Sequence, residues 1–153
     1  MTLPDGLEPY EAGEMVKAAR AETWLPLWAK PPLLQAAELA RVCVEAGANA
    51  LTVGCPPQGM YLDLETNTRW VGRLYGRMVK PLVLWAVSEV ARRVQVPVIA
   101  CGGIHTPQDA LEFLAVGAKA LQVDSATWVE PRSMLRIVEG IEAWMRGRDS
   151  SVR

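Results

Sequence analysis

No stretch of these 153 residues approaches the roughly 18 to 20 consecutive apolar residues that a membrane span needs, and Met1-Thr-Leu-Pro-Asp5 lacks the basic and apolar regions of a signal peptide. The sequence therefore predicts a cytoplasmic protein with no membrane partner. Histidine is nearly missing, with His105 alone, and cysteine occurs only at Cys43, Cys55 and Cys101, without CxxC or His-rich spacing. So scattered a set argues against a disulfide framework and offers no zinc or other metal cluster. Reduced thiols are expected. An excess of either charge is lacking too: 16 Lys and Arg stand against 17 Asp and Glu, a net charge of -1. Basic residues gather only in Gly72-Arg-Leu-Tyr-Gly-Arg77 and Arg146-Gly-Arg148. That distribution argues against nucleic acid as the main partner and leaves room for a small anionic ligand.

Apolar residues are plentiful, at 50% of the chain against 22% charged, enough for a single domain with a real core. The six tryptophans, Trp24, Trp28, Trp70, Trp85, Trp128 and Trp144, are expected mostly in that core or at an interface.

Periodicity and punctuation divide the chain. Met15, Val16 and Ala19 beside Glu11, Glu14, Lys17 and Arg20 predict an amphipathic helix over Leu7–Ala21. Trp24–Ala29 reads as a short strand, Leu33–Ala46 as a helix stopped by Gly47, and Ala48–Val53 as a second strand. Gly54–Gly76 is a connection rich in Gly, Pro and polar residues, too long to be idle in a compact domain, so it is expected to carry function or form a small excursion. Pro81–Val94 is a helix and Val96–Ala100 a third strand. Thr106-Pro107 then opens a helix with Thr as N-cap and Pro at the first helical position, running to Val116 before Gly117. Ala118–Val123 is the fourth strand and Pro131–Trp144 the final helix. Residues 1–146 are read as one domain and 147–153 as a frayed tail. Strands that are near-continuous apolar runs, alternating with helices, predict an α/β fold with a parallel sheet and right-handed crossovers. Glu45-Ala-Gly-Ala-Asn-Ala-Leu-Thr-Val53 and Ala115-Val-Gly-Ala-Lys-Ala-Leu-Gln-Val123 share one helix-Gly-strand hinge, as repeated βα units of a barrel would.

Lys30, Gly59-Met60 with Asp63, Gly72-Arg-Leu-Tyr-Gly76 leading to Val79-Lys-Pro81, Cys101-Gly-Gly-Ile104, Asp109-Ala-Leu-Glu-Phe-Leu114, Gly117-Ala118 and Leu121-Gln-Val123 follow one another in a particular order and spacing. In that order they resemble the carboxyl-terminal half of the soluble, class 1-type dihydroorotate dehydrogenases, from about Glu8 to Trp144. The resemblance implies half of a (β/α)8 barrel, four βα units equivalent to strands five to eight, preceded by one helix. A whole barrel takes about 250 residues. Four strands alone would expose two unpaired edges and an apolar face, which implies a second half-barrel chain or self-association.

The resemblance also implies FMN as cofactor and oxidation of dihydroorotate to orotate in pyrimidine biosynthesis. A non-catalytic remnant or assembly subunit, and a related FMN oxidoreductase with another substrate, stand as alternatives. Lys30 matches the lysine that faces the flavin ring. Gly102 and Gly103 match the pair whose amides approach the phosphate, and Gly72, Gly76 and Ser125 complete the cofactor set. No catalytic residue is expected, because the loop carrying the family's base belongs to the other half. Two departures bear on ligands. Asp124-Ser125 stands where the family offers Gly-Thr to the phosphate, and Cys55-Pro56 stands where Asn followed by Ser or Thr would grip orotate, which leaves Cys55 as the candidate substrate contact. Tyr75 replaces a small serine. His105 is expected as a neutral residue facing solvent.

Overall fold

The computed structural model describes residues 1–149. A four-stranded parallel sheet in the order β1-β2-β5-β6 forms the frame. Its strands are β1 (Trp28–Ala29), β2 (Ala50–Val53), β5 (Val98–Cys101) and β6 (Ala120–Gln122). Strands β3 (Gln58–Asp63) and β4 (Thr68–Arg73) form a separate antiparallel hairpin. The helices are α1 (Pro9–Ala21), α2 (Ala36–Glu45), α3 (Lys80–Ala91), α4 (Pro107–Ala115), α5 (Ser125–Val129) and α6 (Ser133–Asp149).

Alternation along the strands divides the sheet into two faces. Ala29, Leu51, Val53, Val98 and Ala100 join Val16, Leu39, Val83, Val87, Val90 and Phe113 in one apolar core beneath the helices. Trp28, Ala50, Thr52, Ile99, Cys101, Ala120 and Gln122 occupy the alternate positions, on the face that a closed barrel would turn inward. Ala50, Thr52 and Ile99 are buried there, while Trp28 and Gln122 toward the edges are exposed. The predicted half barrel is therefore present.

Several expectations change. Residues 24–27 do not extend β1, because Pro26 has no N–H to donate to a ladder. Arg20 Nη2 instead donates to Leu25 O at 2.6 Å, and Asn49 Oδ1 accepts the Leu27 amide at 2.8 Å. The outer edge of β1 is not bare either. Lys30 N donates to Met1 O at 2.8 Å and Leu3 N to Lys30 O at 2.9 Å, so residues 1–3 lie parallel along it and Leu3 enters the core. Among the described residues, only the β6 edge of the sheet is left unpaired.

The long connection is the small excursion, and Asp63 builds its tip by accepting the amides of Glu65 and Thr66 at 2.9 and 3.2 Å. Helix α6 runs to Asp149, and residues 150–153 of the expected tail lie outside the described residues. All six tryptophans are at least 45% exposed, so none is a core residue. Apart from Phe113, the core is built from small and branched aliphatics.

Candidate functional site

The carboxyl ends of the strands converge on one notch. Lys30 follows β1, Gly54 follows β2, Cys101-Gly102-Gly103 ends β5, and Asp124-Ser125 follows β6. The loop before α3 supplies Tyr75 and Gly76 on the far side. The enclosed part of the notch is about 40 Å³ within an open space of about 460 Å³. The notch itself has room for water molecules, and a more open space of about 480 Å³ over Lys30, Cys101, Gln122 and Asp124 adjoins it, within the size range of a ligand site.

The backbone turn that forms the floor depends on glycine. Gly54 has φ +130°, and a Cβ there would lie 1.5 Å from the Cys101 carbonyl oxygen, so β2 and β5 meet here only because Gly54 has no side chain. At Gly103, φ +75°, a Cβ would lie 2.6 Å from Lys80 Cα, whereas at Gly102, φ +111°, it would meet only ordinary contacts, the nearest Val83 Cγ2 at 3.6 Å. The need for glycine at 103 is thus already met by packing against the start of α3.

Behind that turn sits a charged hub. Lys80 Nζ bonds Asp109 Oδ1 at 2.6 Å and Glu112 Oε2 at 2.7 Å. Asp109 Oδ2 accepts the amides of His105 and Thr106 at 3.0 and 2.9 Å, and Thr106 Oγ1 accepts the Asp109 amide at 3.1 Å. The expected Thr106 cap is therefore one side of a reciprocal capping box. Burial would raise the Asp109 carboxyl, but the Lys80 bond and the two neighbouring donors outweigh it and hold it below the usual range. Burial likewise works to lower the Lys80 ammonium, and its two carboxylates keep it above its usual value.

His105 departs from the solvent-facing role expected of it. It is half-buried, and its Nε2 is shielded without a hydrogen-bond partner among the described residues. Burial first, then Arg77, pulls its pKa down against the pull of Asp109, which keeps the ring neutral.

The proposed site residues divide. Lys30, Gly76, Gly102, Gly103 and Ser125 come together around the notch. Lys30 Nζ reaches across the sheet to Cys101 Sγ at 3.5 Å. Gly72 stands apart in β4, opposite Gly59 on the exposed hairpin. Cys55 follows Gly54 but does not line the notch. It sits near Arg73, which is tied to Asp5 at 2.6 Å and to the Pro56 carbonyl at 3.1 Å. Sequence reasoning missed Gln122, the pairing of Lys80 with Asp109 and Glu112, and the packing of Tyr75 on Trp128, with ring centroids 5.7 Å apart. A lysine in the first turn of α3 and two acids three residues apart in α4 were the available signal for the hub.

The FMN expectation can be tested at its phosphate end. Among the described residues the Asp124 carboxylate takes no hydrogen bond or ion pair and does not cap α5; only its carbonyl is used, by Thr127. Lys80 is committed to two carboxylates and Lys30 lies at Cys101. The phosphate end thus offers a dianion an exposed like charge, and the lysine behind the Gly102-Gly103 turn is already paired. Within ~4 Å and at an effective dielectric near 20, such a pair costs roughly 4 kcal/mol per unit charge. The residues present do not fit a phosphate. The ring end, with Lys30 beside the sheet's inward face, carries no such conflict. No group of three or more potential metal ligands occurs among the described residues. No helix among them is long and apolar enough to cross a membrane.

Comparison with known proteins agrees with this geometry. A family model described as dihydroorotate dehydrogenase matches residues 11–145. The protein named dihydroorotate dehydrogenase B (NAD(+)), catalytic subunit, of Thermodesulfovibrio yellowstonii is 38% identical over 146 residues, covering 92% of this chain and 48% of that protein. Its namesake from Trichlorobacter lovleyi is 42% identical over 149 residues, covering 94% and 49%. A crystal structure of DHODH from Eimeria tenella in complex with ferulenol superposes with a TM-score of 0.76 at 21% identity, over 93% of this chain and 46% of that one. The chain thus spans about half the length of the curated relatives it matches.

Proposed function

The chain belongs to the dihydroorotate dehydrogenase family, and from that premise we propose that it is the half equivalent to strands five to eight of a flavin-dependent oxidoreductase. Its site is completed by a second half-barrel, either a separate chain or a second copy. The observation that carries this reading is the placement of Lys30, whose ammonium lies 3.5 Å from Cys101 Sγ at the carboxyl ends of β1 and β5. Strand carboxyl ends form the active face of this fold. A fixed cation there stabilises negative charge developing on a ring held against it. A flavin bound at that face would supply the hydride chemistry of a dehydrogenase.

This chain's own part is to orient and to balance charge. Gly54 and the Gly102-Gly103 turn bring β2 and β5 together. The Lys80–Asp109–Glu112 hub fixes that turn to α3 and α4, and Lys30 holds its charge over the mouth. None of these groups is placed as a free general base, which the completing half would have to bring within hydrogen-bond reach of the substrate. The substrate proposed is dihydroorotate, oxidised to orotate in pyrimidine biosynthesis in the cytoplasm. A small anion of that kind would meet the Lys30 ammonium.

Co-expression with residues equivalent to strands one to four of the Trichlorobacter lovleyi relative tests the reading. A stable one-to-one complex that binds flavin and oxidises dihydroorotate is expected. A folded complex that does neither would overturn it in favour of the second reading, a non-catalytic half-barrel. The uncommitted Asp124 carboxylate favours that alternative.

A further inference from the structure

The loop after β6 carries a carboxylate that the half-barrel itself does not use. Asp124 is exposed at the notch, its carbonyl is taken by the amide and hydroxyl of Thr127, and its side chain takes no partner among the described residues. Across the notch lies the Gly102-Gly103 turn. The nearest lysine behind that turn is Lys80, and both Asp109 and Glu112 already bond it. Lys30 lines the same notch and has the Cys101 thiol as its partner at 3.5 Å, and Arg77 does not line it. Helix α5, which begins at Ser125, has five residues and adds little dipole to offset the charge.

The glycines supply no counter-argument. Gly103 is required because a Cβ would strike the Lys80 backbone, whatever the ligand. A free carboxylate is a hydrogen-bond acceptor only. Neutral hydroxyl groups donate to it in short, charge-assisted bonds, whereas a phosphate dianion has no proton to offer and is repelled.

From this charge arrangement we infer that the notch selects a flavin whose tail ends in hydroxyl groups, such as riboflavin, over one whose tail ends in phosphate, and that Asp124 is the residue that sets the preference. The inference rests on the flavin reading above and specifies which chemical form of flavin the half-site takes. Asp124 acts here as a specificity residue toward the tail of the flavin.

The test titrates the purified chain, and its complex with the complementary half, with riboflavin and separately with FMN at fixed ionic strength, following quenching of flavin fluorescence. Riboflavin is expected to bind at least about tenfold more tightly than FMN. Asp124→Asn, which keeps the shape and removes the charge, should tighten FMN by about tenfold or more while changing riboflavin much less. Circular dichroism confirms that the variant is folded. FMN binding to the unaltered chain as tightly as riboflavin would overturn the inference and leave the flavin reading standing. An unchanged ratio in Asp124→Asn would overturn the assignment to Asp124. Failure of both flavins to bind either preparation would overturn the flavin reading, and this inference with it.

Discussion

Lys30 Nζ lies 3.5 Å from Cys101 Sγ, joining β1 to β5 across the intervening β2 on the face of the sheet turned away from the helices. A thiol is a weak hydrogen-bond partner, so this contact contributes little to folding. Lys30→Met should change unfolding free energy by less than about 1 kcal/mol in a urea titration. The same variant should weaken flavin binding by about tenfold, because the cation at the mouth is lost. A large loss of stability with unchanged flavin affinity would show that Lys30 serves only structure.

The glycines around the notch make a graded prediction. Gly54→Ala would place a Cβ 1.5 Å from the Cys101 carbonyl oxygen at φ +130°, and should cost at least about 3 kcal/mol or prevent folding. Gly76 has a similar positive φ of +90° with ψ -166° but open space around it, so Gly76→Ala should cost roughly 1 to 3 kcal/mol, the backbone strain alone. Parallel denaturant curves on the two variants check the difference.

Acid should weaken the protein in two stages. Folding lowers the pKa of His105, so the unfolded chain holds its proton more firmly, and stability present above pH 6.5 begins to fall as the pH drops below that value. Asp109 is also depressed in the fold. Its contribution is present above its unfolded value of 3.8 and is lost as the pH falls through its lower folded value. His105→Gln should remove the first stage and leave the second. Asp109→Asn should cost roughly 2 kcal/mol at neutral pH by breaking the Lys80 pair and the capping box, and should flatten the second. Unfolding free energies measured from pH 8 to pH 3 separate the stages.

The three thiols should differ sharply in reactivity. Burial pushes Cys43 up to about 11, and Cys101 is buried beneath Lys30, whereas Cys55 is partly exposed. Iodoacetamide at pH 8 should therefore modify Cys55 first in the native chain, and Cys43 and Cys101 only on unfolding. Peptide mapping by mass spectrometry reads the order, and prompt labelling of Cys101 would mean that the inward face is open to reagents.

The sequence by itself determined the succession of helices and parallel strands, the stops at Gly47 and Gly117, and the start of α4 at Thr106. These depend on interactions within a few residues, such as periodic apolar faces, caps and the backbone freedom of glycine, and such signals are written contiguously. The order of family residues likewise marked which ends of the strands would carry a site. Only the tertiary structure decided the rest. It laid residues 1–3 along β1, set Gly72 on a hairpin away from the notch, and turned every tryptophan outward. It also committed Lys80 to carboxylates beginning 29 residues further on, joined Lys30 to a thiol 71 residues away, and left Asp124 without a partner among the described residues. Periodicity tells which face a side chain occupies; the charge or thiol it meets across the sheet depends on strand order and register, which no local pattern encodes.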